Sequence, residues 1–303
     1  MGCITVSLLL YTLIVFSKEV QVTISDLVDP ESNDECLREF FYKGVPPIYM
    51  NTGGESDKFI CQKYKGKKYF FTRYSTRHKI PIYSAYKIEF DNKIISNKRP
   101  SWRIEKQLNS NQTKNKDYLN SGFQKGHLNP KYHNQNISEN RIKATFTLTN
   151  AVPMTGEANN EWFQVAEKPL FYKMRIYCSF PDATRYIIVG VIPAFTKNER
   201  NINIPNYIWS AAYCDTNSSK IDNWSFGYLM DTHTTFHAKG AITGLQQKLT
   251  DLTGSRVEIF NTTNSNQEDS PFDLQKRPRK PIINVCPKPK RKRHRPELVN
   301  NCK

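Results

Sequence analysis

Stretches of aromatic and β-branched residues recur along the chain, and they constrain its fold more than any other feature. They predict strands at 69–74, 80–90, 143–149, 185–192, 207–213 and 224–230. Residues 80–90 alternate apolar with polar residues, and 143–149 alternate with period two, as a half-buried strand does. Residues 185–192 indicate a strongly buried strand. Because few strand–helix–strand signals occur, we expect an α+β fold with a largely antiparallel sheet flanked by helices.

Two other stretches predict helices. Residues 159–177 and 241–252 repeat apolar residues near the 3.6-residue helical period. Pro169 should kink or divide the first helix, because proline lacks the N–H group that a helix interior needs. The composition turns polar and proline-rich beyond 261. We therefore expect one folded domain at 34–261 and a basic, proline-rich tail at 262–303.

The N-terminal end favours the secretory route. Residues 6–16 form an apolar run that is too short to span a bilayer, so we interpret 1–17 as a cleaved signal peptide. A retained signal anchor is the alternative, since no Lys or Arg precedes the run. No second long apolar run follows, and we expect a secreted, extracellular protein without stable membrane insertion.

The cysteines agree with an oxidising compartment. Beyond the predicted signal peptide the chain has Cys36, Cys61, Cys178, Cys214, Cys286 and Cys302. None forms a Cys-x-x-Cys pair, so disulfides are favoured over a zinc site. Six cysteines allow fifteen connectivities, and we adopt pairing between sequence neighbours: 36–61, 178–214 and 286–302. Five Asn-x-Ser/Thr sites, at 111, 136, 217, 223 and 261, are compatible with glycosylation.

Positive charge is concentrated at the C-terminal end. The formal net charge is +16; residues 275–303 hold eleven basic and one acidic residue, and the remaining 33 basic and 27 acidic residues contribute only +6. A polyanion is the expected partner, although charge does not choose between nucleic acid, a heparin-like glycan and an acidic membrane surface. The tail predicts binding of heparin-like polyanions; a solvated tail held by its two cysteines is the alternative.

One histidine and one asparagine suggest a reaction. Residues 124–130 are Gln-Lys-Gly-His-Leu-Asn-Pro, and Asn159 begins the predicted helix about thirty residues later. Phosphodiester hydrolysis needs an activated water, which a neutral imidazole provides near neutral pH. A hard divalent cation on oxygen ligands neutralises charge and assists the leaving oxygen. We expect His127, between Gly126 and Pro130, to lie exposed on a tight turn that a phosphate can approach. Asn159 also suits a helix cap.

At these residues the chain resembles the DNA/RNA non-specific endonuclease family, and more closely its vertebrate endonuclease domain-containing 1 branch. The resemblance rests on separate stretches in the family's order, at 35–47, 60–62, 74–86, 126–130 and 146–153. It implies a ββα-metal (His-Me finger) nuclease fold, Mg²⁺ (or Mn²⁺) as cofactor, and DNA and RNA as partners bound without sequence specificity.

The resemblance also assigns roles to individual residues. His127 matches the family's general base, Asn159 its metal-binding asparagine, and Glu167 an acid that holds water on the metal. The family's transition-state arginine precedes a tryptophan, which favours Arg99. Arg103 is the alternative and an expected contact to nucleic acid.

Two positions depart from the family pattern. Gln124 stands where the family has an aspartate in the metal's outer surroundings, and loss of such a partner lowers metal affinity or activity about 10- to 100-fold. Lys125 stands where the family has arginine; it keeps a charge for the nucleic acid but loses the two-pronged grip on phosphate. The sequence therefore predicts a secreted metal-dependent endonuclease. The alternative is a catalytically weakened or inactive nuclease-like protein that binds extracellular nucleic acid or other polyanions.

Other histidines are weaker candidates. His133 is a candidate second ligand, but the family pattern has no use for it. His233 and His237 stand four residues apart, which suits a metal pair on a helix. The Thr-rich sequence around them favours a loop or a strand instead.

Overall fold

The structure is a computed structural model that describes residues 26–27, 34–50, 56–91, 99–135, 137–195, 197, 202–260 and 272. The strands are β1 (Asp26–Leu27), β2 (Asp57–Tyr64), β3 (Lys67–Ser75), β4 (Ile80–Lys87), β5 (Gln124–His127), β6 (Ala151–Met154), β7 (Thr184–Ile192), β8 (Tyr207–Asp215), β9 (Trp224–Asp231) and β10 (His237–Gly240). The α-helices are α1 (Glu35–Phe40), α2 (Lys131–Asn134), α3 (Glu139–Thr145), α4 (Gly156–Trp162), α5 (Lys168–Tyr177) and α6 (Ile242–Thr253).

Eight strands form one sheet in the order β1-β2-β3-β4-β7-β8-β9-β10, and β5 and β6 form a separate two-stranded sheet. Each neighbouring pair is antiparallel. The predicted α+β class with a largely antiparallel sheet flanked by helices is therefore confirmed. The predicted strands at 69–74, 185–192, 207–213 and 224–230 lie within β3, β7, β8 and β9.

The large sheet is covered on both faces. Helices α4 and α5, with β5 and β6, pack on one face, where Tyr86 and Ile187 are buried. Helices α1 and α6 pack on the other face, where Ala85 and Ile188 are buried. Strand β4 is consequently buried along almost its whole length. The strand predicted at 80–90 is confirmed over Ile80–Lys87, although its alternating sequence does not give it a polar side, because both faces of a central strand are covered.

The predicted strand at 143–149 is wrong. Residues Glu139–Thr145 form α3, and a short 3₁₀ turn, Leu148–Asn150, leads into β6. The Ser138 hydroxyl accepts a hydrogen bond from the Arg141 N–H and caps the helix. An ion pair of 2.9 Å between Lys143 and Glu139 spans one helical turn. These local contacts outweigh the period-two pattern of the threonines.

The predicted helix at 159–177 is distorted rather than divided. Helix α4 continues through a π-helical turn, Phe163–Glu167, into α5. The Lys168 N–H donates to the Phe163 carbonyl, the wider spacing of a π turn. Pro169 follows at the start of α5, where it cannot donate a helical hydrogen bond. The wide turn accommodates the proline without a break, and it places Glu167 at its end.

Two disulfides connect helices to strands of the large sheet. Cys36–Cys61 joins α1 to β2, and Cys178–Cys214 joins the end of α5 to β8. Both predicted pairs are confirmed; the third, 286–302, lies outside the described residues, as does the predicted signal peptide. Phe272, which falls within the predicted tail, is buried in the core beneath α6. None of the described helices is both long and apolar enough to cross a membrane.

Candidate active site

Strands β5 and β6 and helix α4 form a strand–strand–helix unit that positions the predicted site. His127 ends β5 and pairs with Ala151 at the start of β6. Thr155 caps α4 by accepting the Ala158 N–H at 3.1 Å. Asn159 lies in the first turn of that helix, so it stands beside β5 although about thirty residues separate it from His127.

A buried asparagine fixes the turn that follows His127. The Asn150 Oδ1 accepts the Asn129 N–H at 2.8 Å and a bond from the Ser84 hydroxyl at 3.1 Å. Its Nδ2 donates to the carbonyls of Asn129 and Thr145 at 3.0 and 2.9 Å. One fully paired carboxamide thus connects β4, α3 and the end of β5, which makes the position of His127 rigid.

One cleft of about 530 Å³ brings the predicted residues together. It is lined by Gln124, His127, Pro130, Lys131, Tyr132, Gln135, Gly156, Asn159, Asn160, Phe163 and Glu167. The predicted base, metal ligand, acid and outer-shell residue therefore face one space. Arg99, Arg103 and Lys125 are not part of this lining.

The amide of Asn159 is oriented by the residue that departs from the family pattern. Its Nδ2 donates to the Gln124 Oε1 at 2.9 Å. The Oδ1 therefore turns away from Gln124, towards Gly126, where an added Cβ would lie 3.3 Å from that oxygen and 2.6 Å from the Met154 sulfur. Glycine is needed here for close approach. Gln124 keeps the orienting hydrogen bond of a partner residue without its negative charge.

His127 is held between aromatic rings. Its imidazole lies 4.6 Å from the Trp102 ring and 4.8 Å from the Phe146 ring, measured between centroids. The Nε2 atom is buried and has no hydrogen-bond partner among the described residues. The expectation that His127 is exposed on a tight turn is wrong, because the side chain is half-buried at the end of a strand.

The surroundings of His127 keep its ring neutral. Burial, together with the positive charges of Arg99 and Lys131, lowers the pKa of His127 to about 3. No carboxylate contributes to this shift. The pocket thus combines a neutral imidazole with cationic neighbours, an arrangement that suits an anionic ligand.

Glu167 lies at the other end of the cleft. Burial raises the pKa of its carboxyl to about 8. Its backbone carbonyl accepts a hydrogen bond of 2.7 Å from the His133 Nε2. The His133 Nδ1 in turn accepts the Tyr86 hydroxyl at 2.8 Å. A chain of buried hydrogen bonds thus links the central sheet to the π-helical turn that carries Glu167.

The three predicted basic residues have different environments. Arg99 is exposed, and its charge adds to the effect of burial, which lowers the pKa of both His127 and Lys125. The Lys125 ammonium lies 4.7 Å from the centre of the Tyr118 ring. Arg103 instead donates to the carbonyls of Lys143 and Ala144 at 3.3 and 3.2 Å. The charge of Arg99 therefore acts on the imidazole, Lys125 lies over neighbouring aromatic rings, and the guanidinium of Arg103 supports α3.

Sequence reasoning missed three contacts of this site. Trp102 and Phe146 were not assigned to the histidine, although the tryptophan that follows the family's arginine was a signal for the first. The bracing of Glu167 by His133 left no local signal, because its partners are distant in sequence. Among the described residues, no group of three or more His, Cys, Asp or Glu could hold a metal ion, and His133, His233 and His237 belong to none.

The unit of β5, β6 and α4, with a histidine and an asparagine that line one cleft, is the arrangement found in ββα-metal nuclease folds. A solved structure of the EndoG/EndoGI complex superposes with a TM-score of 0.52 at 15% identity, over 66% of this chain and 86% of that one. At that identity the likeness shows the fold alone.

The sequence comparisons give the family. The profile of the DNA/RNA non-specific endonuclease family matches residues 55–266, and the chain belongs to this family. Endonuclease domain-containing 1 protein of Mus musculus is 30% identical over 219 residues, and that of Homo sapiens is 29% identical over 221 residues. Each match covers 65% of this chain and 42% of the relative, so the chain spans less than half the length of these relatives.

Proposed function

We propose that this protein is a secreted endonuclease that hydrolyses phosphodiester bonds of DNA and RNA, without sequence specificity, with the help of Mg²⁺ or Mn²⁺. The observation that carries the proposal is the convergence of His127 and Asn159 on one cleft. Membership of the family supports the reaction class. The two disulfides and the predicted signal peptide support the extracellular compartment.

In this proposal His127 is the general base. Its lowered pKa keeps the ring neutral at physiological pH, so a nitrogen lone pair is available to take a proton from water. Because Nε2 is enclosed, we assign that role to Nδ1. A pKa near 3 makes a weak base in the free protein. A bound phosphate raises it, since negative charge beside the ring stabilises the imidazolium.

The donor set fits a hard divalent cation. Asn159 and Glu167 line the same cleft; the Asn159 amide oxygen would bind the cation and the Glu167 carboxyl would hold a water on it, and oxygen donors are those that Mg²⁺ and Mn²⁺ prefer. When bound, the cation would neutralise phosphate charge and stabilise the leaving oxygen. A single amide and a neutral Gln124 support weak binding that improves when substrate phosphate supplies further oxygens.

The basic residues near the imidazole would grip the phosphate backbone. Arg99 and Lys131 both act electrostatically on His127, and we assign transition-state charge stabilisation to Arg99. Lys125 lies on the same side of β5 as His127 and would add a less directional contact. Arg103 remains a proposed contact, but its hydrogen bonds to backbone carbonyls favour a structural role. Backbone contacts of this kind give affinity without base recognition.

A second function is supported by one observation. Gln124 holds the Asn159 amide but supplies no negative charge to a dication, so the cleft is weakened as a metal site. A protein that binds extracellular nucleic acid or other polyanions with little or no cleavage is therefore the alternative.

A plasmid-nicking assay with Mg²⁺ distinguishes the two. We expect the wild-type protein to nick supercoiled DNA, and His127→Ala to lose the activity. His233→Ala, at an exposed histidine outside the cleft, is the matched control and should keep it. Equal nicking by wild type and His127→Ala would show that any observed cleavage does not arise from this site.

The basic tail is a separate proposal, and its charged residues lie outside the described ones. We propose that 275–303 bind heparin-like polyanions through their net charge of +10, which follows from eleven basic and one acidic residue. Deletion of this segment should abolish retention on heparin and leave plasmid nicking unchanged. Retention of the deleted protein at the same salt concentration would contradict it.

A further inference from the structure

Two aromatic side chains stand in the cleft among polar and charged groups. Phe163 follows Asn159 by four residues and precedes Glu167 by four, and all three line the cleft. Residues at this spacing share one face of a helix. A phenyl ring therefore lies between the proposed metal ligand and the proposed acid, and neither proton transfer nor cation binding makes use of it.

Core packing does not account for Phe163. The residue is half-buried, and it belongs to none of the hydrophobic clusters of the described residues. Its ring lies 5.2 Å from the Tyr132 ring with a 90° angle between the planes. This edge-to-face pair leaves apolar ring surface on the wall of the cleft, where water cannot form hydrogen bonds to it.

Tyr132 is held in place by residues of the core. It packs against the large core, and its ring meets Phe171 at 5.2 Å and 63°. The pair formed by Tyr132 and Phe163 is thus a firm surface, which we call the aromatic pair. A rigid ring binds a flat ligand without a large loss of side-chain entropy.

The charges around the aromatic pair indicate the kind of flat ligand. Lys131 lines the same cleft, and the positive charge of Arg175 acts on Tyr132. Aromatic rings beside cations are the features that bind unpaired nucleic acid, because bases stack on the rings while phosphates meet the charges. In a double helix the base faces are covered by their neighbours. An intact duplex has no free face to offer.

We propose that Tyr132 and Phe163 form a stacking subsite for an unpaired nucleobase next to the scissile phosphate, so that the cleft selects single-stranded over double-stranded nucleic acid. The inference rests on the proposed function for the position of the phosphate, and it names the substrate class of that site.

Fluorescence of a short single-stranded oligonucleotide with one 2-aminopurine tests the subsite. The full chain is titrated in EDTA, where cleavage does not occur and binding is still measured. We expect quenching on binding, because stacking quenches this base. Stacking contributes about 1–3 kcal/mol per base, so Phe163→Leu should weaken single-strand binding roughly 5- to 150-fold and abolish the quenching. Phe163→Tyr should preserve both.

Two controls separate stacking from loss of structure. Tyr177→Leu removes an exposed aromatic side chain of α5 that does not line the cleft, and it should bind as wild type does. A duplex of the same sequence should bind Phe163→Leu and wild type equally. Unchanged single-strand affinity and quenching in Phe163→Leu would overturn the subsite, and so would equal wild-type affinity for the two forms.

The result is independent of catalysis. A protein that fails to nick plasmid but quenches 2-aminopurine through Phe163 retains the subsite and loses the proposed activity. A protein that nicks plasmid through His127 without Phe163-dependent quenching retains the activity and loses the subsite.

Discussion

Two histidines six residues apart, His127 and His133, both have a lowered pKa but differ in their hydrogen bonds and in their expected roles. Burial lowers the pKa of both, to about 3 and about 4. His133 is satisfied at each nitrogen: since the Glu167 carbonyl can only accept, Nε2 carries the proton and Nδ1 accepts the Tyr86 hydroxyl. His127 has an enclosed Nε2 without a partner among the described residues. A fully paired buried histidine stabilises a fold, whereas an unpaired one in a cleft indicates chemistry.

The largest expected effect comes from the same substitution at the two positions. His127→Leu should lower plasmid nicking about 10²- to 10⁴-fold, the usual contribution of a general base. Its melting temperature should stay near the wild-type value, because leucine fills the space between Trp102 and Phe146 and removes an unpaired polar atom. Circular dichroism and initial nicking rates measure both quantities. A His127→Leu variant that nicks plasmid at the wild-type rate would show that His127 is not the general base.

The next effect is on stability. His133→Leu leaves the Tyr86 hydroxyl and the Glu167 carbonyl without their partners, so we expect a loss of about 2–4 kcal/mol in the free energy of unfolding. Urea unfolding at pH 7 measures it. His233→Leu, at an exposed position, should change the value by less than about 0.5 kcal/mol. If both variants unfold alike, the hydrogen-bonded chain does not stabilise the protein.

Lowering the pH should reduce the free energy of unfolding through His133, and urea unfolding measures this loss. The unfolded chain binds this proton near the ordinary histidine pKa of 6.5, and the folded protein binds it only near 4. The unfolded state therefore holds more protons between these values, and stability falls as the pH falls from about 6.5 to about 4. Between pH 7 and pH 4.5, wild type should lose about 2–3 kcal/mol more than His133→Leu. His127 titrates in both proteins, so its contribution cancels.

The smallest expected effect concerns Gln124, which stands where the family has an aspartate. Gln124→Asp restores a negative charge beside the Asn159 amide and should lower the Mg²⁺ concentration for half-maximal nicking about tenfold. Gln135→Asp adds the same charge elsewhere in the cleft and serves as the matched control. Equal shifts in the two variants would mean that charge in the cleft, rather than a specific partner of Asn159, controls the affinity.

Much of the fold followed from local patterns. The runs at 69–74 and 207–213 lie in strands because aromatic and β-branched residues suit an extended, buried backbone. The strand prediction at 143–149 was wrong because alternating threonines resemble the pattern of a half-buried strand. The Ser138 cap that starts α3 is a local signal of equal strength. The run at 80–90 lies in a strand as predicted, but its periodicity does not show how many faces of the sheet are covered.

The sequence by itself determined the strand-rich α+β class and the family, and it predicted two disulfide pairs and the set of His127, Asn159 and Glu167, since these depend on residue types and spacing along the chain. Only the tertiary structure decided that Trp102 and Phe146 enclose the imidazole, that His133 braces Glu167, and that Phe163 stands in the cleft. The physical reason is that burial and hydrogen-bond pairing are properties of groups brought together from distant segments. No single stretch of sequence contains both partners.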